Sequence, residues 1–511
     1  MNFVKNAELD RQEQSRDKYG DQVSDGNEQN CCPEIERKLI PAKLFYMLYF
    51  SSLGALLPYL ALYYKQMKLS PSQVGILMGL KPFVEFVCTP VWGAFVDRFK
   101  KGKSVLLLSL LITALSQFSL SLVAPAERQC TLNFISRRSV EGADNSSRIS
   151  LQDRNSSTYW KDFVFVSSMV NAKPWPLVYA SKGENTPRVA NTRELFIILF
   201  IIILVSNVIS SPSLALADTV TVQTLRPDVH LYGHQRLWGS VGWGIASFLV
   251  GALVTLSHHC PNPFTQPSEV NYTPCFYTFG ALMLLALLTS TRFKFAYESE
   301  DAKVAKDVRI IDSFKQSMNI KYIMFLFTAF YFGIMNAFMK TFLFWHLKDL
   351  GGTQLLFSII AAVNCIAEVS VYLVSDRIIT RMGHTRVIYL AAVGFTMRCL
   401  WYSFLSNPWF VLPLEFMPGI TNALAWVAML SYVNHMSTSD NATTHQGILY
   451  GFYRGLGYGC GEVLGGVMIN FLGSGNAFKV FALGAVCIFL GNVFVENLHR
   501  LKRIFTRYSG D

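Results

Sequence analysis

Apolar and polar residues are segregated along this chain in long blocks rather than at the short periods of a soluble fold. After a polar stretch at 1–40, apolar runs of about 20 residues recur, the length a helix needs to cross about 30 Å of hydrocarbon. The runs fall at 42–64, 72–95, 104–124, 194–217, 238–256, 275–291, 321–343, 355–375, 387–405, 409–433, 447–471 and 477–497. This pattern predicts an all-α membrane protein of twelve transmembrane helices. Residues 1–40 hold 15 charged side chains and lack the apolar core of a cleavable signal peptide. They read as a disordered tail, with the first run acting as a retained signal-anchor.

Composition narrows the function class. Only 15% of the 511 residues are charged and 51% are apolar, whereas a soluble globular protein carries about 25% charged residues. A large soluble enzyme, a coiled coil and a disordered protein are thereby excluded. Ten cysteines, none in CxxC spacing, give no disulfide, zinc or iron–sulfur framework. The chain has no Walker A sequence, GxGxxG, GxSxG elbow or HExxH. No enzyme chemistry, cofactor or metal is expected. The net charge of +11 raises nucleic acid as a partner, but its distribution points to the lipid bilayer instead. Arg98, Lys100, Lys101 and Lys103, then Arg377, Arg381 and Arg386, then Arg500, Lys502, Arg503 and Arg507 all fall on one face. By the positive-inside rule that face is cytoplasmic, with both termini. The opposite face carries the long loop 125–193 with sequons at Asn145 and Asn155, and a third at Asn271. A fourth sequon, Asn441, lies on the cytoplasmic side and should stay unmodified. Cys260 and Cys275 face outward and could close a short loop, with Cys130 free or competing. Spacing does not decide which pair forms.

The chain repeats itself. Gly93-Ala94-Phe95-Val96-Asp97-Arg98-Phe99-Lys100-Lys101 follows run two, and Ser375-Asp376-Arg377 follows run eight, the aspartates 279 residues apart. A polar linker, 293–320, separates 41–292 from 321–498, and 499–511 forms a tail. This is the parallel repeat of two six-helix bundles related by an axis along the membrane normal. The motif Gly-x-x-x-Asp-Arg-x-Lys-Lys resembles the signature of the major facilitator superfamily. The second copy is degraded, with Tyr372 where the first has Gly93. Ala217-Asp218-Thr219 and Tyr232–Gly244, with Arg236 inside the latter, resemble the branch of the sugar–proton and nucleoside–proton symporters. Within it, Pro41–Tyr46, Pro71–Leu77 and Gly447–Gly466 resemble the family called major facilitator superfamily domain-containing protein 6. The resemblance implies two pseudo-symmetric six-helix bundles, alternating access, and a cytoplasmic gate at Gly93, Asp97, Arg98, Lys101, Asp376 and Arg377.

Charges inside the runs mark the candidate cavity, since a charge at the bilayer centre costs about 2.5–3.5 kcal/mol. Lys81 and Glu85 are spaced i,i+4 and share a helix face. They are either an internal pair that holds the bundle or a substrate contact. Glu368, Arg398 and Glu415 are expected to form one polar cluster in the second half. Arg454 and Glu462 complete the set. Lys340 and His346 are expected near the outer end of run seven, snorkelling. Gly447, Gly451, Gly455 and Gly459 recur every fourth residue and make a smooth face, serving static packing, sliding of helices, or both. The reading is a secondary transporter, expected in the plasma membrane, for a small polar solute. Proton coupling and plain facilitated diffusion both stay open, because run ten lacks the histidine of the sugar–proton symporters. The alternative is a cell-surface receptor with an extracellular protein ligand, which the loop 125–193 would suit.

Overall fold

The computed structural model describes residues 32–122, 192–225, 232–256, 270–295, 320–436 and 442–508. Every regular element among them is a helix. The first half contains α1 (Cys32–Gln66), α2 (Pro71–Phe99), α3 (Gly102–Leu122), α4 (Thr192–Ser210), α5 (Ser213–Leu225), α6 (Tyr232–Leu256) and α7 (Thr273–Ser290). The second contains α8 (Ile320–Asp349), α9 (Gln354–Met382), α10 (His384–Ser403), α11 (Ala425–Met436), α12 (Ala442–Tyr450), α13 (Tyr458–Leu472) and α14 (Ser474–Tyr508). A 3-10 turn, Pro408–Leu414, and a π-helical turn, Gly419–Leu424, precede α11, and a second π turn, Gly451–Gly457, joins α12 to α13.

Among the described residues, nine helices are long and apolar enough to cross a membrane, ten if the bent pair Pro408–Leu414 and Gly419–Met436 is one span. Runs nine and eleven, expected as plain spans, are the exceptions. Run nine packs His384, Arg386 and Arg398 into the 20 residues of α10. Run eleven is divided into pieces of 9, 7 and 15 residues. Helix also reaches into both expected tails, beginning at Cys32 and ending at Tyr508.

Local chemistry explains the boundaries. Ser70 caps α2, accepting from the Gln73 amide at 3.3 Å while Gln73 accepts from the Ser70 amide at 2.9 Å, with Pro71 opening the helix. Run four breaks at Ser211-Pro212, where proline has no amide to donate. Asp218, expected at the end of a span, therefore sits inside α5. In run ten, Pro408, Pro413 and Pro418 prevent a single helix, and its two parts meet at 48°. The two aspartate motifs each end in a tight turn in the left-handed region. Lys100 has φ 53° and Gly383, at the matching turn of the second half, has φ 82°.

The halves meet mainly through α2 with α13, α6 with α9, and α1 with α8. Glycine makes these approaches possible. A Cβ on Gly75 would lie 2.4 Å from the Glu462 carbonyl oxygen, and one on Gly466 2.3 Å from that of Pro71. The expected glycine face is real at Gly451, Gly455 and Gly459, which lie against Phe86 and Phe83 of α2. At Gly447 and Gly93, toward the Asp97 end, an added Cβ meets nothing within 4 Å. At the opposite end, Lys65 of α1 forms an ion pair with Asp349 of α8 and lies 4.4 Å from the Trp345 ring centre.

Candidate functional site

Polar side chains inside the bundle gather in three neighbourhoods. The first joins the halves. Lys81 and Glu85 of α2 stand 3.8 Å apart, and Glu462 of α13 and Tyr49 lie within electrostatic reach of the ammonium. Thr341 of α8 donates to Glu462 at 3.3 Å. The other carboxylate oxygen, Oε2, is buried without a hydrogen-bond partner among the described residues. The Lys81 side chain is 34% exposed in mid-helix, so it borders space rather than packed protein. The i,i+4 pair read from sequence is present. Glu462, read on the same run as Arg454, faces this neighbourhood instead.

The second neighbourhood lies within the second half. Arg398 donates to the Tyr402 hydroxyl at 3.0 Å and to Thr421 at 2.9 Å, and Tyr402 donates to Glu415 at 2.6 Å. Arg398 and Glu415 are 3% and 0% exposed. Glu415 sits where the 3-10 turn of run ten ends, with Asn364 beside its carboxylate. This corrects the expected cluster of Glu368, Arg398 and Glu415 beside the cavity. Tyr402 links the second and third, and both are sealed in the core. Glu368 instead accepts from Asn422 at 2.9 Å. Thr421 and Asn422 are adjacent on the π turn and point to different surroundings, which separates the two acids. His346 also differs from expectation. It is buried, with Nδ1 2.8 Å from the Ser474 hydroxyl and Nε2 2.9 Å from the Tyr402 carbonyl oxygen. Lys340 is exposed, 5.9 Å from the Trp243 ring across the halves.

The third neighbourhood is cationic and aromatic. Arg454, on the second π turn, is exposed although its guanidinium lies within 5.3 Å of the Tyr458 ring, 5.9 Å of Trp426 and 6.0 Å of Tyr453. Arg236 of α6 approaches from the other half. It bonds Asp218 of α5 at 3.0 and 3.2 Å and stacks on Phe50 at 4.7 Å. Tyr46 donates to the same carboxylate at 2.7 Å. Tyr372, standing where the first motif has Gly93, lies within electrostatic reach of Glu368, Arg454, Tyr458 and Arg236. The sequence reading quoted Asp218 and Arg236 only as family markers. Their charges, immediately flanking runs four and five, were the available signal.

The motif residues lie apart from these groups. Asp97, Arg98, Lys101, Asp376 and Arg377 are all exposed at one end of the bundle. Of the outer-face expectations, Asn145, Asn155, Asn441 and Cys260 lie outside the described residues. Asn271 accepts from the Thr273 amide at 2.9 Å in the turn that opens α7. Cys275 is a free thiol, wholly buried in the first turn of α7 rather than presented outward. No cluster of metal-ligating side chains occurs among the described residues. Two shallow concavities, one bounded by Ile76, Phe196, Ile197 and Phe200 and one around Met397 and Phe489, are apolar and hold none of these charges.

The helical fold can be set beside known relatives. A family model described as the MFS_1 like family matches residues 39–480. The chain belongs to that family. It is a multi-pass membrane protein of the transporter kind. It is 22% identical over 473 residues to the protein "Major facilitator superfamily domain-containing protein 6-like" of Danio rerio, covering 86% of this chain and 84% of that one. It is 23% identical over 470 residues to a maltose permease of Geobacillus stearothermophilus, covering 90% and 94%. The crystal structure of the nucleoside transporter NupG superposes with a TM-score of 0.62 at 15% identity, covering 89% of this chain and 98% of that one.

Proposed function

We propose that the protein carries a small polar solute across the membrane by alternating access, with the solute held between the halves near Lys81, Glu85, Glu368 and Arg454. The supporting observation is the pairing of opposite ends. The halves are latched at Lys65–Asp349 and jammed glycine to backbone at Gly75 and Gly466, whereas Gly93 and Gly447 have open space beside them. Ionisable side chains lie between, where the bilayer makes them costly unless they serve a ligand or a partner. The motif Gly93, Asp97, Arg98, Lys101 with its second copy Asp376, Arg377 would close the open end in the other half of the cycle. Tyr402 would let Glu415 and Arg398 act as a fixed brace, leaving Glu368 and Glu462 as the carboxylates available for proton coupling. Uptake into proteoliposomes of labelled sugars, nucleosides and carboxylates, with and without an inward proton gradient, tests this reading. Uptake accelerated by the gradient is expected; equal uptake in protein-free vesicles for every solute would remove it.

The open end is cytoplasmic, with both termini, and the protein resides in the plasma membrane. The basic loops support this orientation. Asn145, Asn155 and Asn271 then carry glycans outside. A glycosidase-sensitive mass shift should vanish when these three are replaced by Gln, and a shift that depends on Asn441 would invert the orientation.

A further inference from the structure

The third neighbourhood has an unbalanced charge. Arg236 is neutralised by Asp218 at 3.0 Å, and Lys81 by Glu85 at 3.8 Å with Glu462 beyond it. Arg398 reaches Glu415 through Tyr402. Arg454 has no such companion. No carboxylate among the described residues forms an ion pair with it, and its close neighbours are Trp426, Tyr453, Tyr458 and Tyr450 with the second cation Arg236. Glu368 lies by Tyr372 and is engaged by Asn422. The residue is nevertheless exposed, in the middle of run eleven and on the π turn that joins α12 to α13. A π turn in a helix interrupts the regular backbone ladder and recurs at functional positions.

We propose that Arg454 is the anchor of a binding site for a small organic anion with one acid group and a flat apolar body. The inference deepens the transport reading and rests on it for the word solute. Three features carry it. A guanidinium is always charged and presents donors in a fork that matches a carboxylate or phosphate edge. Its stacking on aromatic faces holds the fork in one plane. The surrounding rings of Trp426, Tyr453 and Tyr458 offer flat apolar walls to the remainder of the ligand, the usual composition of a small-molecule site with few convergent polar groups. One uncompensated cation calls for one negative charge: a dianion would leave an excess beside Glu368. Arg236 on the facing half adds positive potential without offering a free charge, so an anion between the two arginines draws the halves together.

The test is binding, measured without transport. The full chain in lipid nanodiscs is titrated with benzoate, with its neutral isostere benzamide, and with benzylammonium. Tryptophan fluorescence and the thermal midpoint are read. Benzoate is expected to quench fluorescence and raise the midpoint, with at least tenfold tighter half-saturation than benzamide or benzylammonium. Arg454→Gln should weaken benzoate at least tenfold and leave benzamide unchanged. Arg454→Lys, which keeps the charge and loses the fork, should fall between and shows that loss is not unfolding. Benzamide binding as tightly as benzoate, parent-like benzoate binding by Arg454→Gln, or no response to any of the three overturns the proposal. Arg454-dependent benzoate binding without uptake of any solute supports the site and removes the transport reading instead.

Discussion

Arg398→Gln will unfold at a markedly lower temperature than the parent protein, the largest loss expected of any single side chain in the second half. Arg398 is 3% exposed and supplies the hydrogen bonds that hold Tyr402 and Thr421 in place. Glu415 is 0% exposed and takes its one short bond, 2.6 Å, from Tyr402. Removing the cation leaves the buried carboxylate with its hydrogen bonds from Tyr402 and Asn364 but no counter-charge, a change that costs about 3–5 kcal/mol. Tyr402→Phe removes only the bridge and should cost about 1–3 kcal/mol. The double variant Arg398→Met with Glu415→Gln removes both charges and should recover most of the loss, since apolar replacement of a buried pair is often neutral. Thermal unfolding in detergent, followed by size-exclusion recovery, ranks the three. A parent-like midpoint for Arg398→Gln would mean that the brace does not exist.

How far the sequence carried the reading differs from group to group. The apolar blocks located the nine helices that are long and apolar enough to cross, and the bent pair of run ten, because a bilayer imposes one length on each helix, but not the broken run eleven. The Lys81–Glu85 pair was legible because i,i+4 spacing is local, and the same rule would have found Arg398 with Tyr402. The breaks at Ser211-Pro212 and Glu415 were written in prolines, yet whether a proline kinks or ends a helix depends on what packs beside it. The division of Glu368 from Glu415 was not legible. It follows from the π turn that sets Thr421 and Asn422 on opposite sides, and no residue pattern announces that turn. The glycine face was visible at Gly451, Gly455 and Gly459. The tighter approaches at Gly75 and Gly466 depend on the register between two helices that are remote in sequence.

Holding Lys65 and Asp349 together will block access to the cavity from one side of the membrane and leave the other side unaffected. These residues end α1 and α8, the first helices of the two halves, so the ion pair bridges the halves at the rim opposite Asp97. An exposed pair of this kind contributes about 0–1 kcal/mol, which is weak enough to break on each turnover. The close glycine contacts of α2 with α13 join the same two halves. Parting them requires the rim to open first, because a packed interface switches between discrete arrangements rather than stretching.

That dependence gives the most direct test of alternating access. Tyr372→Cys places a thiol beside Arg454 and Glu368, and Lys65→Cys with Asp349→Cys places two at the rim. In cells, a short membrane-impermeant bis-methanethiosulfonate joins the rim pair, and an impermeant maleimide then probes position 372 from each side. The account predicts labelling from both sides before the rim is joined. After joining it predicts loss of outside labelling, unchanged cytoplasmic labelling, and recovery on reduction. Undiminished outside labelling with the rim fully joined, or no outside labelling before it, would contradict an account in which two halves rock around a shared site.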